Sequence, residues 1–544
     1  MLHLPAELVI SVLQYLSLSS LGSLSSTSRE WQNFIQVNES ILYRNAAVLH
    51  GFTASAVYSD LAEELPPRCL IGVTDWKSFC QTSVHFQKAW RGEAASYVTA
   101  HTVCRGTVHR IKVDERRGFS IVTSTTGGLI VADLYTDSIL WSLSLSYVHR
   151  YAHCEYDAGY LVFDRTTGEK EVWRVVEDSG MIPDSPTFAF PDDMQHAAAS
   201  LYPGDLSVTR GHFRPWAILR PPEVTRAFRF VYPTLIAAST DALFLWNVTT
   251  GELIQTIHDA QREDTLGMIN YVEVSAQHAF VCGSDTLRIF SRASGRWVLD
   301  VPSSQRSYGR HSYFLVPGGL DRSQQSVLKR QSVDYLRISL PNNGRLVDEF
   351  TGVHVSACGK HFAALLASSR LIIVPFFQRV IDNNVDIWDI ALDIQLGSPR
   401  SVARYLAFEN GRVAVATDTG IYVVSVDFEA IEHDPTRVSV HRAVWFNSPI
   451  RLRAVSCLQM TMTGIYVTWG DAPAGRITLD GDLVINPEWE HIFENSLREE
   501  RSISHTPDGD DAVALFELVA AGFALHTGLF SIDLLPTPLV QAPT

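Results

Sequence analysis

The sequence predicts a multidomain chain: a small all-α domain and a linker helix, then an all-β propeller of seven blades within a range of about six to eight. Three observations carry this. Residues 1–51 show helical periodicity broken by capping signals. Residues 75–93 place their apolar side chains on one helix face. From about residue 97, short runs rich in Val, Ile, Leu, Phe and Tyr alternate with Gly, Asp, Ser and Thr turns, and similar segments recur at an offset of 44 residues.

Leu4-Pro5-Ala6-Glu7-Leu8 opens the first helix, with Pro5 at its first position, where a missing N–H costs nothing. Leu8, Val9, Ile10, Val12, Leu13 and Leu16 are apolar, and only Glu7, Ser11 and Gln14 make a polar stripe. A surface helix ordinarily hides one apolar face, so this one has apolar surface to spare. Leu18, Leu21 and Leu24 recur on a short second helix that Gly22 weakens. Thr27 and Glu30 read as a capping box for a third helix bearing Trp31, Phe34 and Ile35. Asn38 caps a fourth through Ile41, Leu42, Val48 and Leu49, with Gly51 past its end. Residues 52–96 form a linker. After Glu63-Glu64-Leu65-Pro66-Pro67, a helix over 75–91 aligns Trp76, Phe79, Cys80, Ser83 and Trp90 as a spacer docked on a neighbour.

Residues 97–544 are the propeller. "TDALFLWNVTTGELIQTI" (240–257) and "SDTLRIFSRASGRWVLDV" (284–301) align without a gap, and 126–143 has the same grammar of strand, tight turn, strand. Weaker copies begin at 158, 368 and 418. A period near 44 with four short strands per unit is a propeller signature, and each blade buries its faces only against its neighbours, so the array must close. Long loops are expected near 177–222 and 302–335, and "GLFSIDLL" (528–535) can pair with a strand near 97–104 to close the ring.

Composition narrows the function. A net charge of −15 argues against general nucleic-acid or acidic-membrane binding, both of which need a basic face. Seven scattered cysteines without C-x-x-C disfavour a zinc module or disulfide scaffold and suit a reducing compartment, cytoplasmic or nuclear. The first residues lack a basic segment ahead of their apolar run, which disfavours a secretory signal, and no uncharged apolar run approaches a membrane span.

The opening stretch resembles the F-box, the module that docks a substrate receptor on the Skp-family adaptor of cullin–RING (SCF) ubiquitin ligases. The matching residues are Leu4, Pro5, Glu7, Leu8, Val12, Leu13, Leu16, Leu21, Leu24, then Ser28-Arg29-x-Trp31. Trp76, Lys77 and Phe79, followed by Trp90-Arg91-Gly92-Glu93, resemble the linker helix of F-box/WD-repeat receptors. Gly211-His212 and Trp246-Asn247, 33 residues apart, are similar to that family's Gly-His and Trp-Asp pair within one blade. The resemblance implies a WD-like propeller that binds a client protein for ubiquitination. It makes Leu4, Pro5, Glu7, Leu8, Val12, Leu13, Leu16, Leu21, Leu24 and Trp31 the adaptor contacts, and Trp76, Phe79 and Trp90 the linker helix.

A domain of this size also hides a poor fraction of its own surface, and its helices can fill a partner's groove. The alternative is that the first helix packs on the propeller. No nucleotide, hydrolase or metal motif is present, so neither catalytic residues nor a cofactor nor a metal is expected. His149, His153 and Cys154 have helix-like ligand spacing but fall among strands, where i and i+4 stand about 13 Å apart. Two Arg-rich loops, 209–229 and 302–330, run against the acidic grain. Arg226, Arg229, Arg306 and Arg310 are candidates for gripping an acidic or phosphorylated client, against the plainer reading that they pair with local acids. The expected function is a non-enzymatic substrate-recognition subunit. An F-box scaffold outside ubiquitination and a propeller enzyme are the alternatives.

Overall fold

Local hydrogen bonds set the helix boundaries. The computed structural model describes residues 4–54, 57, 61–94, 96–101, 103–104, 108–178, 185–201, 210–261, 266–305, 307–315, 325–326, 328–332, 348–397, 401–431, 437–443, 446, 448–470, 476–477, 483–484 and 527–534. Helix α1 (Ala6–Leu13) has Pro5 as its N-cap, one residue before the position the sequence suggested. In α2 (Leu18–Ser25), the Ser17 hydroxyl accepts the Ser20 N–H at 3.1 Å. The cap of α3 (Arg29–Val37) is Ser28, whose hydroxyl accepts the Trp31 N–H at 3.2 Å. Thr27 donates back to the Leu24 carbonyl instead, so the expected Thr27/Glu30 capping box is replaced by a single cap bond at Ser28. Asn38 precedes α4 (Glu39–Leu49), but its amide donates to the Phe34 carbonyl and so finishes α3 rather than capping α4.

After the short α5 (Leu61–Glu64), helix α6 (Trp76–Trp90) starts at a reciprocal capping box: Ser78 N–H on Asp75 Oδ1 at 2.8 Å and Asp75 N–H on Ser78 Oγ at 3.1 Å. Such a pair satisfies two otherwise orphaned donors. Gly92 ends the helix at φ +71°, where a β-carbon would stand 2.3 Å from the His441 ring, so only glycine fits between the linker and the propeller.

Seven four-stranded antiparallel units then follow: blades 1 (residues 108–143), 2 (154–219), 3 (227–257), 4 (269–302), 5 (350–395), 6 (403–443) and 7. Blade 7 joins Leu458–Met460, Gly464–Gly470 and Thr527–Asp533 to Tyr97–His101, so the two ends of the propeller share one sheet. Tyr97 lies opposite Asp533 and His101 opposite Leu529, the closure that the "GLFSIDLL" pairing anticipated. Apolar layers fill every gap between successive blades, including blade 7 against blade 1. Closure is thus the condition for burying both faces of each sheet.

The segments aligned at offset 44 are the third and fourth strands of blades 3 and 4. Their tight turns share a mechanism: Asn247 Oδ1 accepts the Thr249 N–H at 2.9 Å, as Asp133 Oδ1 accepts the Tyr135 N–H at 2.7 Å in blade 1. The copy at 158–175 is instead the second and third strands of blade 2, an antiparallel hairpin with similar patterning in a different place. Gly211-His212 precedes the fourth strand of blade 2, whereas Trp246-Asn247 ends the third strand of blade 3. The two dipeptides therefore do not belong to one blade, and their spacing is coincidental. Nor are the long loops structureless. The first holds the helix Asp193–Ser200 and the blade 2 strand Phe213–Leu219. The second adds His311–Leu315, parallel to Leu392–Gln395, to the outer edge of blade 5 and Gln325–Ser326 to blade 6.

Candidate functional site

The helical domain carries the first candidate surface. Val9, Leu13, Leu21, Ile35, Leu42 and Ala46 make its core, with Leu16, Leu24 and Trp31 half-buried around it. Leu13 (2% exposed) and Leu21 (0%) are therefore structural, and their expected role as adaptor contacts is corrected: a partner cannot reach them. The opposite side of α1 is open. Leu4, Leu8 (53%), Val12 and Tyr15 (74%) follow one another at helical spacing as exposed apolar side chains, with Pro5 and Glu7 exposed beside them. Tyr15 was not singled out from the sequence, although its position three residues after Val12 would have placed it on this stripe. Exposed apolar groups scattered singly are ordinary, but Leu8 and Val12 one turn apart on α1, with Leu4 just before the helix and Tyr15 just after it, mark an interaction face.

The linker fixes this domain to the propeller. Trp76, Phe79 and Cys80 pack with Leu61 and Leu65 of the linker, Ala47 of α4 and Met462 of blade 7. Trp90 lies against blades 6 and 7, donates Nε1–H to the Met462 carbonyl at 3.3 Å and is capped by the Arg412 guanidinium 5.0 Å from its ring centre. Trp76, Phe79 and Trp90 are thus buried docking residues, as the single helix face predicted.

The arginine candidates are dispersed. Arg226 is exposed in the link between blades 2 and 3. Arg310 sits at the rim of blade 5 and pairs with Asp389 at 2.6 Å. Arg306 lies outside the described residues. Arg229 belongs to the first strand of blade 3, and the first strands line the ring axis, each against the next. Its Nη1–H meets Glu155 Oε2 at 2.6 Å and its Nε–H meets Glu273 Oε2 at 3.2 Å. Lys112 reaches Glu155 at 2.7 Å, and His354 Nδ1 reaches Glu273 at 2.9 Å. Blades 1 to 4 are thereby joined across the lumen by alternating charges, and His354 adds blade 5.

Burial pushes both carboxyls up, but Arg229 and Lys112 outweigh it at Glu155, holding it well below the carboxylate range, and Arg229 and His354 lower Glu273. With its guanidinium held by two carboxylates, Arg229 clamps blades 2, 3 and 4 together in the lumen, the pairing with acids that is the plainer reading of this arginine. The signal was alternation: "HRIKVD" (109–114), "HCEYD" (153–157) and "YVE" (271–273) put polar or charged side chains on every second residue of inner strands. His153 belongs here too. Its Nδ1 accepts Arg110 Nε–H at 3.2 Å, which leaves Nε2 to donate to Glu155 at 2.9 Å.

The linker contacts loops that join first to second strands, at Met462 and Thr463. The opposite face carries the links between blades. Leu145, Tyr151, Val224, Met268 and Val402 are exposed apolar residues of those links, so the propeller's second candidate surface faces away from the helical domain.

Buried neutral histidines make the ring acid-sensitive. His101, in the strand that closes blade 7, is held near 4 by burial, partly offset by Asp137, and bonds Ser531 Oγ at 3.1 Å. Its folded value lies below the ordinary 6.5 of the unfolded chain, so as pH falls from about 6.5 to about 4 only the unfolded state takes up the proton. Stability from this group is full above that window and is lost by up to about 1.4 kcal/mol per pH unit within it. His101→Gln should flatten the fall in urea midpoint between pH 6.5 and 4.5. An unchanged slope would exclude His101 as a contributor.

Residues 1–47 match a family model described as F-box-like. No curated protein matches the chain. Among solved structures, the β-propeller domain of Myceliophteria thermophila Cps50 (Swd1) is similar, with TM-score 0.41 and 10% identity over 67% of this chain and 94% of that one. The RRP9 WD40 repeats give 0.40 and 10% over 70% and 92%. U3-55K gives 0.39 and 9% over 68% and 90%. The chain has an F-box-like domain over residues 1–47, followed by a seven-bladed propeller.

Proposed function

We propose that this chain is the substrate-recognition subunit of an SCF-type ubiquitin ligase, acting in the cytoplasm or nucleus. The F-box-like domain docks on a Skp-family adaptor, and the adaptor connects it to a cullin–RING assembly. The observation that carries this is the open apolar stripe Leu4, Leu8, Val12 and Tyr15 within the matched residues 1–47. An amphipathic helix of this kind buries its apolar side in a partner groove. The propeller binds the client on the face away from the linker, through Leu145, Tyr151, Val224, Met268 and Val402, with Arg226 available to an acidic or phosphorylated residue. The chain is non-catalytic in this reading. Holding a client near a ubiquitin-charged enzyme raises effective concentration, and the bond-making groups belong to other subunits. No helix among the described residues is long and apolar enough to cross a membrane.

Mixing the full chain with purified Skp-family adaptor and cullin tests this. A ternary complex on size exclusion is expected. Adaptor bound without cullin favours a scaffold outside ubiquitination, and binding of neither overturns the reading.

A further inference from the structure

Arg68 lies in the linker turn Pro67–Leu70, yet it is only 4% exposed. Its Nη2 is ion-paired with Asp533 Oδ2, and its Nη1–H donates to Thr463 Oγ1 at 3.2 Å. Asp533, 0% exposed, is the last residue of the strand Thr527–Asp533, which closes the ring. In that sheet it stands opposite Tyr97 on one side and Gly464 on the other. Three separate pieces of chain meet at this point. The linker brings Arg68, the far end of the sequence brings Asp533, and the first turn of blade 1 brings Glu115.

Glu115 extends the contact sideways. Its carboxylate accepts Thr461 Oγ1–H at 2.7 Å and the Thr463 N–H at 3.2 Å, so the Arg68 site spans the seam between blades 7 and 1. Burial pushes the Glu115 carboxyl up, partly offset by the Thr461 and Thr463 donors and by Arg68, while the direct ion pair of Arg68 is with Asp533. A buried carboxylate that loses its cation is costly, because no water replaces the lost partner. The linker therefore carries a charge that the closing strand requires. Nearby, Arg116 of the same blade 1 turn donates to the Glu63 carbonyl, a second tie between linker and seam.

We propose that Arg68 is a positioning residue that latches the linker to the closing strand, so that one side chain holds the ring shut and sets the angle at which the helical domain is carried. Its use, holding an adaptor at a fixed distance from a client, rests on the substrate-receptor reading. The latch itself does not, and its test needs neither adaptor nor ubiquitin.

Full-length Arg68→Met and Arg68→Lys are compared with the parent by amide hydrogen exchange. Donor and acceptor dyes at Gln36→Cys and Ser294→Cys, with exposed Cys358→Ser removed from labelling, report the distance between domains. In Arg68→Met, amides of 97–101 and 527–533 are expected to exchange at least ten-fold faster while those of 243–247 and 286–291 keep parental rates. The inter-dye distance distribution broadens, and Arg68→Lys restores part of both effects. Unchanged exchange at the seam, equal acceleration in blades 3 and 4, or an unchanged distance distribution would each overturn the proposal. If Arg68→Met does not fold, the double variant Arg68→Met/Asp533→Leu removes both charges. A fast seam and a broad distribution in that variant support the latch, and parental behaviour in both overturns it.

Discussion

Leu8→Asp is expected to weaken adaptor binding by ~100-fold or more while leaving the chain folded. Leu8 is half exposed in the free chain and stands in the middle of the α1 stripe. Burying a leucine is worth about 1.5–3 kcal/mol, and an aspartate forced into an apolar groove adds a desolvation cost of similar size. A loss near 3 kcal/mol already exceeds ~100-fold in affinity. The helix should tolerate the change, since residue 8 lies in the first turn of α1, where a carboxylate favours the N-terminal dipole. Leu13→Asp is the contrasting control. That side chain is in the helical core, so its replacement should unfold the domain and lose binding indirectly. Titration calorimetry against purified Skp-family adaptor, with circular dichroism for folding, separates the two. Parental affinity in a folded Leu8→Asp variant would remove the docking reading.

That control shows where the sequence was legible and where it was not. Periodicity groups residues that share a helix face, and it located α1, α2, α3, α4 and α6 to within a residue or two. It does not say which apolar side faces the domain's own core, so Leu13 and Leu21 were grouped with Leu8 and Val12. The propeller was legible because blades repeat a local grammar of alternating strands and Asx turns, seen in Asp133 and Asn247. The surroundings of the candidate arginines were not legible, for the opposite reason. "TRGHFRPWAILRPPEVTRAFR" has turn-like composition, yet Phe213–Leu219 and Ala227–Val231 are strands. Only two residues separate the exposed Arg226 from Arg229 in the lumen, and partners from blades 2 and 4 decide the latter's surroundings. The Arg68–Asp533 pair was hidden likewise, because its two members come from opposite ends of the chain.

Arg229→Met should destabilise the propeller by roughly 3–5 kcal/mol at pH 7, the usual cost of breaking a buried ion pair by removing one partner. Methionine keeps most of the volume, so the loss is electrostatic. Glu155 retains Lys112 and Glu273 retains His354, but the cation that bridges them is gone. The pH dependence gives the sign. In the parent, both carboxyls are held below their unfolded values, so their contribution is present above about pH 4.3 and disappears as pH falls through the folded values. In the variant, burial is less opposed and the carboxyls rise, so lowering the pH neutralises them and relieves the penalty. The gap between parent and variant is therefore widest near pH 7 and narrows toward pH 4.5, as urea midpoints would show. Adding Glu273→Gln to Arg229→Met should recover part of the loss at pH 7, because one of the uncompensated charges is then absent. A variant as stable as the parent at pH 7 would end the clamp assignment. Retained stability together with selective loss of client capture would return Arg229 to the client-binding role.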